Sequence, residues 1–443
     1  MPRIANRIVI AVLVSLVVLG GGAVAASAVG AFSPALTPLD PSSYALPLPT
    51  PVPPTPGLPA ADASLAPDAA RIQQGLAGLD RTGLGTVCFQ VSDLTGRQVA
   101  AEDPDSARLP ASSWKILTSM AVLSAYGSAH RFTTTVVSSP TGIVLVGAGD
   151  PFLTSGPAVT AGQARAQDLA DLTAQALTQA GNASVTLGYD DSLFAGPQWN
   201  PAWSPSDAAD VAPVSALSID ADGAADANTS SDAAQIFKAM LTAQGITVSS
   251  VRSERAAPDA TVLASVDSLP LGQIVRRVLA TSNNFGAEVL SRHVGVAAGG
   301  DGSISSAQSA TTAYLQSQSL WADGMSVSDG SGLSSGDRVP ASILASAVRM
   351  AYADPAYDDV LDGLPVAGVD GTLAYRFDDP DEAAGRGVVR AKTGTNDYVR
   401  TLTGFAQTSS GAVVVFSFML NDLKDDSAGV NWLDEAAAVL AAS

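Results

Sequence analysis

The chain has 443 residues, 47% of them hydrophobic, enough for the core of a catalytic domain plus a second domain or a large insertion. Its 42 acidic residues against 23 basic ones give a formal net charge of −19, which argues against nucleic acid as a partner and suits an extracytoplasmic surface. One cysteine, Cys88, excludes an intrachain disulfide and a cysteine metal cluster, and with only His130 and His293 a multi-histidine metal site is hard to build, so neither a metal nor another cofactor is expected.

Arg3 and Arg7 precede an uncharged stretch over residues 8–32 whose first part, 8–19, is intensely apolar. Residues 1–32 therefore read as an export segment. Ala23-Val24-Ala25 and Ala26-Ser27-Ala28 suit a signal peptidase, yet the stretch is also long enough to span a bilayer, so a cleaved signal and a retained anchor are both open. Contact with a membrane is expected only through this segment. Residues 33–67 are dense in proline and read as an extended tether, with folding expected from 68.

Beyond the tether, residues 86–92 read as a strand, Asp93-Leu94-Thr95-Gly96 as a turn and 97–101 as the returning strand of a hairpin. Over 112–126, Ile116, Met120 and Leu123 fall at helical spacing, which puts Ser112 at a helix N-terminus. A block over 131–263 alternates short strands such as 142–146 and 185–189 with helices such as 163–180. From 269 helices resume, one ending near Thr281 and another over 285–294. Residues 387–392 and 411–419 then read as strands, and 432–442 as a closing helix. The reading is a catalytic domain over 68–130 and 264–443 that brackets an inserted domain over 131–263.

The chemistry sits in three short motifs. Ser112-Ser113-Trp114-Lys115 places a hydroxyl and an amine three residues apart on one helix, where they share a face and can touch. A serine needs a base to become a nucleophile, and a desolvated lysine can be neutral enough to serve. Alone the pattern is weak, since Ser112 would serve equally as a helix cap. The chain, however, holds only four lysines, Lys115, Lys238, Lys392 and Lys424, and Lys392 falls in Lys392-Thr393-Gly394-Thr395, at the end of a predicted strand. There Gly394 lets a substrate backbone approach, and the lysine and threonines can grip a carboxylate. Between these motifs, Ser282-Asn283-Asn284 presents a hydroxyl and an amide at a helix break.

The order Ser-x-x-Lys, Ser-x-Asn, Lys-Thr-Gly is shared by penicillin-binding proteins and serine β-lactamases. Pro110-Ala111-Ser112, Asp329-Gly330-Ser331-Gly332-Leu333-Ser334 and Gly368-Val369-Asp370-Gly371-Thr372-Leu373 narrow the resemblance to the class C low-molecular-mass penicillin-binding proteins, peptidase family S13, from about Val87 to the C-terminus. The resemblance implies an α/β (α+β) fold of the serine β-lactamase/DD-peptidase type, with an antiparallel sheet flanked by helices and an insertion between the first and second motifs. It also implies a serine D-alanyl-D-alanine carboxypeptidase/endopeptidase that acts on peptidoglycan stem peptides and cross-links in the cell-wall space and is trapped by β-lactams.

In that family's terms Ser112 attacks the carbonyl between the terminal D-alanines, Lys115 takes its proton, and the backbone N–H groups of Ser112 and Thr395 form the oxyanion hole. Ser282 relays a proton to the leaving D-alanine, Asn284 positions the peptide and holds Lys115, and Lys392, Thr393 and Thr395 bind the terminal carboxylate or polarise the site. Asp190 is the positional match for an acidic residue of the insertion that reads the free amine of diaminopimelate; a turn or capping aspartate is the plainer reading of it.

A class A β-lactamase would need a carboxylate to activate the deacylating water, and no Glu-x-x-Leu-Asn segment is present. Gly332-Leu333-Ser334-Ser335-Gly336 matches the nucleophile elbow of α/β-hydrolases, but both histidines precede Ser334, against that fold's order. The 329–334 stretch is read instead as a glycine-rich turn that shapes the pocket. Intact motifs argue against a catalytically inactive wall-binding scaffold.

Overall fold

The computed structural model describes residues 65–221 and 229–443. The export segment expected over 1–32, and the expected tether as far as residue 64, lie outside the described residues. Among the described residues no helix is long and apolar enough to cross a membrane.

Helix α1 (Ala69–Ala77), capped by the Asp68 carboxylate, leads into the hairpin of β1 (Thr86–Asp93) and β2 (Gln98–Glu102). Asp93 closes that hairpin by accepting from the backbone N–H groups of Thr95 and Arg97. A 3-10 turn over Ala111–Trp114 then opens onto α2 (Lys115–Tyr126). Next come β3 (Thr133–Ser139), β4 (Gly142–Val146), α3 (Ala166–Gln179), β5 (Ser184–Asp190), α4 (Thr229–Ala243), β6 (Thr247–Ser253) and β7 (Val262–Asp267). Helices α5 (Leu271–Thr281), α6 (Asn284–Ala297), α7 (Ile304–Ser317), α8 (Ala341–Ala353) and α9 (Asp358–Asp362) follow. The chain closes with β8 (Val389–Asn396), β9 (Val399–Gln407), β10 (Val413–Asn421) and α10 (Asp426–Ala442).

The first and last strands meet in one antiparallel sheet of order β2-β1-β10-β9-β8. Every residue of the central strand β10 is buried. Its odd-numbered residues Val413, Val415 and Met419 face a cluster with α2, α5, α6 and α8, and Val414, Phe416, Phe418 and Leu420 face α1 and α10. Side chains alternate across a strand, so covering both faces of the sheet requires the unbroken apolar run that betrays β10 in the sequence. The strand β9 escaped that reading because Thr401 and Thr403 interrupt its apolar pattern; both hydroxyls are buried and paired, Thr401 with the Pro110 carbonyl at 2.9 Å and Thr403 with Ser417 at 2.9 Å.

A second sheet, of order β6-β5-β4-β3-β7, holds strands between Thr133 and Asp267. The neighbours β4, β5 and β6 run parallel, and parallel pairing needs long crossovers, which α3 and α4 supply. Leu145 and Leu187 pack there against Leu169 and Phe237. Strand β7 runs across residue 263, where the return to the first domain was expected, and pairs with β3.

Candidate active site

Ser112 sits in the 3-10 turn, one residue past Ala111, whose φ of 45° is left-handed, and α2 begins only at Lys115. The helix expected to begin at Ser112 therefore begins three residues later. The turn is fastened to the sheet by Ser113, whose hydroxyl pairs with that of Thr401 at 2.8 Å. It is fastened from the other side by Gly332. This residue has φ 76°, and a Cβ there would lie 2.0 Å from the Ala111 carbonyl oxygen, so only glycine lets the 329–334 loop approach so closely.

Lys115 is fully buried, and its Nζ donates to Ser112 Oγ at 2.7 Å, Asn284 Oδ1 at 2.7 Å and the Ser331 carbonyl at 2.8 Å. Burial lowers its pKa to about 8, against the pull of Asp329, Glu288 and Asp337, which favour the charged form. Lys392 is buried too, donates to the Thr393 carbonyl at 2.8 Å, and is held well below the ordinary lysine range by burial and then by the charge of Lys115.

The three carboxyls beneath Lys115 organise the 329–334 loop. Asp329 Oδ1 accepts from the N–H groups of Ser331 (3.0 Å) and Gly332 (2.6 Å), and Oδ2 from Ser334 N–H (2.7 Å) and Trp203 Nε1 (2.9 Å). Glu288 accepts from Gly330 N–H at 2.9 Å, and burial together with Asp329 pushes its carboxyl up to about 8. Burial and Asp329 also raise Asp337, which accepts from the Ser328 N–H at 2.6 Å. The turn expected only to shape the pocket thus contributes the Ser331 carbonyl directly to Lys115. Sequence reasoning singled out neither Glu288 nor Asp337. Glu288 lies four residues after Asn284 on α6, one turn along the same face, which is the signal that could have found it.

The second motif forms where α5 ends and α6 begins. Ser282, the left-handed C-cap of α5 at φ 57°, and Asn284, the first residue of α6, are brought to the same cleft as Ser112. Besides holding Lys115, Asn284 donates from Nδ2 to the Asp210 carbonyl at 3.0 Å. The third motif forms the C-terminal half of β8, at a strand end as expected, but the strand runs on past Lys392 to Asn396 before turning back into β9. Gly394 faces the Ser112 turn: a Cβ there would meet Thr401 Oγ1 at 2.0 Å and the Pro110 oxygen at 2.8 Å. Strand β8 is the edge of its sheet, bridged on its outer side at Arg390 by Val366, ahead of Lys392 to Asn396. An extended peptide can add itself along such an edge.

The cleft has a volume of about 850 Å³ and is lined by Ser112, Ser282, Asn284, Thr393 and Thr395, together with Asp207, Asp210, Arg376 and Arg400. Asp190 is not among the lining residues. It is buried at the end of β5, and its two oxygens accept from the N–H groups of Ser192 (2.9 Å) and Ala256 (2.8 Å), a turn-capping role away from the cleft. Among the described residues one trio of carboxylates, Asp378, Asp379 and Glu382, has ligand atoms close enough together for a cation, and it lies outside the cleft lining.

Residues 70–226 and 223–443 match the model of the D-Ala-D-Ala carboxypeptidase 3 (S13) family. The chain belongs to this S13 family. It is 34% identical over 417 residues to a carboxypeptidase of Mycobacterium tuberculosis, covering 89% of each chain, and 32% identical over 266 residues to a D-alanyl-D-alanine carboxypeptidase of Actinomadura sp. strain R39, covering 58% of this chain and 47% of the relative. Penicillin-binding protein 4 of Haemophilus influenzae superposes with a TM-score of 0.69 at 19% identity over 83% of this chain and 98% of its own. A structure of the same protein complexed with a novel β-lactam gives 0.67, at 19% identity over 85% of this chain and 100% of that one. The expected fold is the one found, and as an S13 member the chain is a serine-type D-Ala-D-Ala carboxypeptidase, a hydrolase.

Proposed function

We propose that this S13 peptidase cleaves the terminal D-Ala-D-Ala bond of peptidoglycan stem peptides, and the D-alanyl bond of their cross-links, through an acyl-enzyme on Ser112. What carries the reading is the triangle of Ser112, buried Lys115 and Asn284 at the foot of the cleft. Neutral Lys115 takes the Ser112 proton as Oγ bonds to the carbonyl carbon, and the N–H groups of Ser112 and Thr395 hold the oxyanion. The C–N bond breaks as the proton passes from Lys115 through Ser282 to the leaving nitrogen. Water, losing a proton to Lys115, then frees the acyl group and restores the Ser112 hydroxyl.

Thr393, Gly394 and Thr395 align the substrate along β8. Asp207 and Asp210, on the cleft wall between β5 and α4, take the part expected of Asp190 and face the free amine of the third residue of the stem. The segment 131–263 acts as an insertion that supplies this wall, and a segment over 1–32 directs the chain to the outer face of the cell membrane. A β-lactam, which mimics the substrate's reactive amide, acylates Ser112 and stays. Intact-mass measurement after incubation with a fluorescent penicillin tests this: a one-to-one adduct is expected for the wild type and none for Ser112→Ala, and a folded wild type that forms no adduct overturns the proposal.

A further inference from the structure

We propose that Arg400 reads the charge of the leaving group, the carboxylate on the carbon that bears the scissile nitrogen, and so decides which cross-links are accepted; this rests on the peptidase reading above. A site that selects a carboxylate needs a cation that stays charged and can turn towards it. Neither lysine of the motifs fits, because Lys115 serves as the base and Lys392 is buried with its Nζ given to the Thr393 carbonyl. Burial also disfavours charge on Lys392. Among the described residues two arginines line the cleft. Arg376 gives Nε and one terminal nitrogen to both oxygens of Asp434, whose side chain is only 3% exposed, so its charge already answers a buried carboxylate that a ligand cannot displace.

Arg400 is placed differently. It stands directly opposite Thr395 across the β8–β9 ladder, so the two side chains project from the same face with their Cβ atoms roughly 5 Å apart. Thr393 shares that face, since it lies two residues from Thr395, and Lys392 and Gly394 point to the other. A carboxylate resting on the two threonine hydroxyls therefore lies beside the guanidinium. One terminal nitrogen of Arg400 donates to the carbonyls of Asn396 (2.8 Å) and Val399 (2.7 Å), which fixes the plane of the fork. The other meets Asp426 at 3.0 Å, and that side chain is 61% exposed. The pair is open to water on the Asp426 side, where screening weakens it, so a substrate carboxylate can replace Asp426.

Two leaving groups carry the required charge. In a free stem it is the terminal D-alanine, and in a cross-link it is the D-centre of the diamino acid, where the carboxylate again sits on the carbon bonded to the scissile nitrogen. Amidation of that carboxyl removes the charge without changing the bond to be cut. Arg400 thus admits both carboxypeptidase and endopeptidase substrates and disfavours cross-links amidated at the D-centre.

The test measures kcat/KM of the full chain on two stem peptides that differ only in a C-terminal D-alanine carboxylate or carboxamide. Arg400→Gln is expected to reduce the acid-to-amide preference roughly tenfold to hundredfold, the worth of a charge-assisted hydrogen bond. Arg400→Lys should retain part of it, and Asp426→Asn should lower KM for the acid, since the competitor for the guanidinium is gone. An Arg400→Gln enzyme that still forms a one-to-one penicillin adduct and keeps the wild-type preference overturns the inference. Should that variant fail to fold, an Asp426→Asn enzyme with unchanged KM for the acid overturns it as well. A wild type that is folded but forms no adduct and cleaves neither peptide overturns the peptidase reading instead.

Discussion

Replacing Asp329 with Asn tests whether the carboxyls beneath Lys115 set the working pH of the enzyme. With a pKa of about 8, Lys115 is neutral in roughly a tenth of molecules at pH 7, some 300-fold more than a lysine at its ordinary value of 10.5. Acylation should therefore climb through pH 6 and 7 and level off above about 8. Asp329 is the foremost of the acidic groups that oppose this lowering, and since it also holds the Glu288 and Asp337 carboxyls up, Asp329→Asn in a Glu288→Gln, Asp337→Asn background should move the inflection to lower pH. The gain at pH 7 is bounded at about tenfold, because only a tenth of the sites begin neutral. The substitution also has a cost. An asparagine amide offers one acceptor where the carboxylate serves four donors, so two buried N–H groups lose their partner, at about 1–3 kcal/mol each. Stopped-flow acylation by fluorescent penicillin between pH 5.5 and 9.5, with urea unfolding of the same preparations, separates the two effects. A folded variant whose inflection stays at the wild-type pH would refute the electrostatic role.

Gly332→Ala should slow acylation and destabilise the fold by at least about 1–3 kcal/mol, because φ is 76° and the new Cβ would sit 2.0 Å from the Ala111 carbonyl; an unchanged acylation rate would show that this loop does not hold the Ser112 turn. His293 is stacked on Phe132 at 3.8 Å and buried, and burial lowers its pKa to about 4, so the unfolded chain binds a proton below 6.5 that the folded chain refuses. Stability should fall as pH drops from 6.5 towards 4, by up to about 3 kcal/mol from this group, and His293→Gln should flatten that acid limb in urea titrations. Nitrocefin should be consumed to one equivalent and then stop, whereas steady turnover would favour the β-lactamase reading.

The central strand β10 was legible because both its faces are covered, and the hairpin of β1 and β2 because Asp93 and Gly96 close it with recognisable turn chemistry. Strand β9 was not, since its buried threonines look like surface residues until Pro110 and Ser417 are seen beside them. The extent of β8 followed from β9: without the partner strand there was no reason for it to continue past Lys392 to Asn396. Asp190 illustrates the limit of position along the chain. It lies in the expected region, but it ends β5 and its oxygens close a turn, while Asp207 and Asp210, some twenty residues on, reach the cleft.

The catalytic base shows where sequence reasoning stops. Lys115 stands in the first turn of a helix whose residues through Leu123 are all buried, and the run Ile116-Leu117 followed by Met120-Ala121-Val122-Leu123 marks that helix as buried, with only the small hydroxyls of Ser112, Thr118 and Ser119 on the lysine's own face. Desolvation, and hence a lysine that can act as a base, was therefore readable. The opposing charge was not, because Glu288, Asp329 and Asp337 come from a helix and a loop more than 170 residues away and meet Lys115 only through the packing of α2 on α6 and of the 329–334 loop on Ala111. A serine and a lysine at helical spacing name the reaction. The pH at which it runs depends on carboxyls that the fold brings together.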